Sequence, residues 1–111
     1  MKLRWKSNHE DESQATEWRA HSYLLRLVMS PEKTPLWFLA HDPECYNWGA
    51  LDKAKAYTQS LFEKEVEART FEMYKGLVQE SDLGDCGYYS AVLHDAKDAI
   101  KEYYKESVEE G

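Results

Sequence analysis

The side chains able to do chemistry in this chain gather in one short run, His41-Asp42-Pro43-Glu44-Cys45, with Cys86 and His94 as distant candidates to join it. A Cys2His2 zinc set needs four convergent ligands, and its usual signature is a close pair of cysteines. Cys45 and Cys86 have no cysteine near them in sequence, and a helix of ~30 residues expected between them would hold them roughly 45 Å apart. A thiol nucleophile at Cys45 with His41, or at Cys86 with His94, would need a lowered pKa, an oriented base and an oxyanion site. Only the first is hinted at, by the position of each cysteine ahead of a helix. Five glycines leave little material for a phosphate-binding loop, and no dinucleotide fingerprint or Gly-x-Ser-x-Gly elbow is present. The expectation is a protein without catalytic residues, bound metal or cofactor.

Carboxylates are the other chemistry on offer. Glu10-Asp11-Glu12, the Glu63–Glu72 stretch, and Glu80, Asp82 and Asp85 are candidate negative patches. On the last helix Asp98, Glu102, Glu106 and Glu109-Glu110 run beside Lys97, Lys101 and Lys105, so that helix neutralises itself. The partner-binding set expected on these grounds is Glu63, Glu67, Glu72, Glu80, Asp82 and Asp85 for charge, with Tyr88 and Tyr89 as aromatic anchors. The plain alternative is that these acids are solvated surface.

The elements that must position these groups are legible in outline. Met1–Lys6 alternates like an edge strand, and Ser7–Gln14 reads as a polar loop. Thr16–Met29 reads as one long strand, apolar on both faces in its second half, which points to a bulge that swaps faces or to a partner chain on the second face, and its length favours a bend or bulge. Ser30–Thr34 is a turn, and Leu36–His41 a third strand closed by Asp42-Pro43. From Ala50 the apolar spacing becomes helical through Leu51, Ala54, Tyr57, Leu61, Phe62 and Val66, and one helix to about Glu80 is expected. Ser81–Gly87 is a turn, and a last helix runs from about Ser90 to Glu109. The expected fold is a single α+β domain over 1–111, a three-stranded antiparallel sheet (1–42) packed by helices at 50–80 and 90–109.

Composition bounds the function. With 111 residues, 42% hydrophobic and 14% aromatic, the chain can bury a core, and its eight Tyr and four Trp must fill that core or an interface. Fourteen basic against 21 acidic residues give −7, which disfavours direct nucleic-acid binding, including a βββα nucleic-acid module. No secretory segment or apolar run near the ~20 residues of a membrane span is present, and two cysteines make no disulfide scaffold. A cytoplasmic setting is expected.

The run Trp18-x-Ala20, Tyr23-Leu24-Leu25, then Pro35-Leu36-Trp37-Phe38-Leu39, then Leu51-Asp52-Lys53-Ala54-Lys55-Ala56 resembles small phage and prophage accessory proteins. In those, a short aromatic hairpin precedes a helix opening with Ala-Lys-Ala. The resemblance covers about two thirds of the chain and does not extend to Cys86–Gly111. It implies an acidic, non-catalytic inhibitor that blocks a basic surface on a host nucleic-acid-handling or defence complex, in the manner of anti-CRISPR proteins or DNA mimics, and it transfers no site residues. The competing expectation is an oligomeric accessory protein, a homodimer whose two-faced sheet buries against its own copy.

Overall fold

The computed structural model describes residues 1–42, 46–79 and 86–109, and for 79 and 86–90 the backbone alone. Two compact units emerge, Met1–Leu61 with Ser107–Gly111, and Phe62–Glu106. The α+β class holds, but the sheet has five strands where the sequence suggests three.

The first unit is an antiparallel meander in chain order: β1 (Lys6–Ser7), β2 (Glu17–Ala20), β3 (Tyr23–Met29), β4 (Pro35–Leu39) and β5 (Asn47–Trp48). The stretch that reads as one long strand is a hairpin. Ala20 pairs with Tyr23, Trp18 with Leu25, and the chain reverses through His21-Ser22. His21 takes a left-handed φ of 52° to do so. Sequence reasoning misses this turn because it looks for Gly, Asn or Asp where positive φ is cheap. β5 escapes notice because two residues carry no periodicity.

The polar loop before β2 is ordered by its own side chains. Asn8 accepts from the backbone N–H groups of Thr16 and Glu17, and Asp11 caps a 3-10 turn at Glu12–Gln14 by accepting from Ser13. Two hydrogen bonds from Ser13 hold the Asp11 carboxyl below its usual pKa. The chain start is tied down as well. Leu3 forms an antiparallel bridge with Val108, Arg4 N–H donates to Ser107 O, and Glu109 N–H donates to Lys2 O. Val108, inside the span expected for the last helix, therefore serves as a bridge partner of Leu3 instead.

Alternation decides which face of the sheet is covered. Trp18, Leu25, Trp37 and Leu39 point to one side and pack with Ala15 and Ala54, with Tyr57 and Leu61 against them. Ala54, Tyr57 and Leu61 come from α1 (Leu51–Gln79), whose first turns lie on this face. α1 is one continuous helix over the range its spacing indicates. Thr58 is buried there and satisfies its hydroxyl by donating to the Ala54 carbonyl at 2.9 Å.

The second unit pairs the rest of α1 with α2 (Cys86–Tyr103), which begins and ends earlier than its spacing suggests. Phe62 from α1 and Val92, Ala96, Ile100 and Tyr104 are buried. Phe62 and Tyr104 meet edge to face with ring centroids 5.2 Å apart.

Candidate functional site

The acidity of the chain is unevenly placed. Phe62–Glu106 carries 11 acidic and six basic residues, a net −5, while the sheet unit carries ten and eight, a net −2. The helical unit is thus the natural place to look for a surface that selects partners by charge.

Within it α1 fixes the angular position of each carboxylate. Glu63 and Glu67 are one turn apart, about 40° from each other around the axis, and both are exposed. Phe71 continues the same stripe at 57% exposure, with the Lys75 ammonium 5.2 Å from its ring centroid. Glu72 does not share that face, because it is rotated about 180° from Glu63. It pairs with Lys75 at 3.5 Å and lines a hollow of about 550 Å³ with Ala68, Arg69, Met73, Ile100 and Tyr103. The Glu63–Glu72 stretch is therefore two surfaces, and sequence proximity alone does not separate them.

Sequence reasoning misses Met73, Arg69 and Tyr103. Met73 and Tyr103 are exposed apolar groups of this hollow, and the Arg69 guanidinium lies 5.2 Å from the Tyr103 ring. The 3.6-residue pattern could have found them, had it been followed past Arg69 on the side away from Glu63. Glu65 is committed elsewhere, since its carboxylate accepts from the Tyr104 hydroxyl at 3.1 Å. Burial, and then the neighbouring Glu65 charge, push the Tyr104 hydroxyl up to about 12. Of the other sequence candidates, Glu80, Asp82 and Asp85 lie outside the described residues, as do the side chains of Tyr88 and Tyr89.

The His41–Cys45 run is described only at His41 and Asp42. Both line a hollow of about 400 Å³ in the sheet unit with Ser22, Tyr23, Tyr57 and Leu61. His41 has a left-handed φ of 64°. His94 is exposed on α2 and faces Asp98 at 3.4 Å, a local pair one turn apart on the same helix. Among the described residues no group of three His, Cys, Asp or Glu side chains could hold a metal ion. In the same unit Lys55 is drawn over aromatic rings, its ammonium 3.6 Å from the Trp18 centroid and 5.8 Å from that of Trp5. Desolvation there lowers the Lys55 pKa.

Among the described residues no helix is long and apolar enough to cross a membrane. No protein-family model, curated protein or solved structure matches the chain.

Proposed function

We propose that this chain is a non-catalytic binding protein whose helical unit captures a basic protein surface. The observation that carries this reading is the net −5 of Phe62–Glu106, coupled to exposed apolar side chains at Phe71, Met73 and Tyr103. Carboxylates around exposed aromatics can do both jobs an interface needs. Charge accelerates encounter and orients it, and buried rings lengthen the residence time. Glu63 and Glu67, flanked by Phe71, are the first element of this surface, and Glu72 with Met73 and Tyr103 the second. The resemblance to phage accessory proteins makes a host nucleic-acid-handling or defence complex the partner to test first, with inhibition by occlusion as the consequence of binding.

The test is affinity capture from a bacterial lysate by the parent chain and by a Glu63→Lys/Glu67→Lys variant, with the retained proteins quantified by mass spectrometry. The reading expects a protein with a basic surface to be retained by the parent at low salt and lost from the variant. Equal retention by both would set it aside. A Glu32→Lys/Glu109→Lys variant, altered at two exposed positions of the sheet unit, makes the same change in total charge and serves as the control.

A further inference from the structure

The hollow of about 400 Å³ in the sheet unit is used by neither the core nor the acidic surface of the helical unit. Its volume falls within the roughly 300–1,000 Å³ typical of small-molecule sites. Leu39 of β4 and Leu61 of α1 supply apolar lining, and Tyr23 of β3 and Tyr57 of α1 add two aromatic rings. Tyr57 is held by its neighbours, with ring centroids 4.9 Å from Trp48 and 5.6 Å from Tyr46, the latter edge-on. That ring is in place before anything binds. Half-buried Asp42 is the one acid among the described residues that line the hollow, and no lysine or arginine is among them.

The backbone beside the hollow is strained. Asp42 N–H donates to the Leu39 carbonyl at 3.4 Å, closing a turn in which His41 takes its φ of 64°. His21, next to the lining residue Ser22, has a φ of 52°. Left-handed conformations outside glycine are costly, and they collect at sites that hold ligands.

We propose that this hollow binds a quaternary ammonium group, held by the Tyr23 and Tyr57 rings and the Asp42 carboxylate. An ammonium capped by methyl groups has no N–H to satisfy, so Leu39 and Leu61 leave none of its atoms unpaired. Its charge is drawn to the faces of aromatic rings and to a carboxylate, and both attractions strengthen where water is excluded. A primary ammonium or a guanidinium would bring several N–H donors to a single carboxylate and the Ser22 hydroxyl. An anion would meet Asp42 with no lysine or arginine to offset it. The site belongs to the sheet unit and does not depend on capture of a basic partner by the helical unit.

The test is titration of the nitrogen-labelled parent at about pH 8 with choline, up to about 100 mM, followed by amide chemical shifts. Saturable shifts are expected at Ser22, Tyr23, Ala40, His41 and Asp42, with dimethylbutanol, the uncharged carbon isostere of choline, binding about tenfold more weakly. Asp42→Asn should weaken choline by about tenfold, whereas Asp52→Asn, the same change of charge at an exposed position of α1 outside the hollow, should bind like the parent. A short peptide carrying trimethyl-lysine forms a second arm, and the tighter of the two probes tells whether the group arrives on a free molecule or on a protein. Absence of saturable shifts with both probes overturns the proposal, as do shifts confined to other residues. Equal binding of choline and dimethylbutanol overturns it too, because the hollow would then select apolar bulk and not charge. Should Asp42→Asn fail to fold, that comparison on the parent decides alone.

Discussion

At the scale of the residue, the Tyr104–Glu65 pair makes the sharpest claim about pH. The hydroxyl, buried and donating to a carboxylate, has its pKa raised from 10.0 to about 12. Between those values the folded chain keeps a proton that the unfolded chain has lost, so stability must fall as pH rises through that interval. Below pH 10 the contribution is constant. Urea unfolding of the parent and of Tyr104→Phe at pH 8 to 12 should therefore show their stability difference shrinking above pH 10, because Phe has no proton to lose. A difference that stays constant to pH 12 would mean that the hydroxyl is not held in its neutral form. Little of this was open to the sequence. Tyr104 is legible as an apolar-stripe residue, but its partner is 39 positions away.

At the scale of the element, legibility follows length. α1 has many turns over which its apolar spacing can repeat, and its range is read correctly to within a residue or two. The β2–β3 hairpin is missed because the reversal is made by His21, which has no turn signature. That position tolerates few replacements. A β-branched residue cannot hold a left-handed φ without a clash, so His21→Val should cost about 1–2 kcal/mol while His21→Asn stays near the parent. Denaturant midpoints of the two variants check this, and equal midpoints would argue that the turn is not left-handed. Gly76 makes the opposite case in α1. A methyl group there would meet nothing within 4 Å, so Gly76→Ala should gain the helix about 1 kcal/mol. The readout is the thermal midpoint, and an unchanged or lower midpoint would mean that the local helix is not as described.

At the scale of the whole molecule, the two-sided apolar pattern of the strands is the part of the sequence that reads most directly in the structure. It appears as a packed face and a presented face of one meander. The acidic candidates are less legible, because charge in a sequence has no direction until a helix gives it one. Glu63 and Glu67 remain together under that rotation and Glu72 leaves them. Capture of a basic protein partner by the acidic helical unit, as proposed, is tested by its association kinetics. The protein retained from lysate is purified, and its association rate with the parent and with Glu63→Lys/Glu67→Lys is followed from about 0.05 to about 1 M salt, across which screening shortens from beyond 10 Å to ~3 Å. Capture by charge requires a parent rate that falls steeply with salt, a slower and flatter rate for the variant, and convergence of the two at the high end. Rates that coincide at low salt, or that ignore salt altogether, would contradict it.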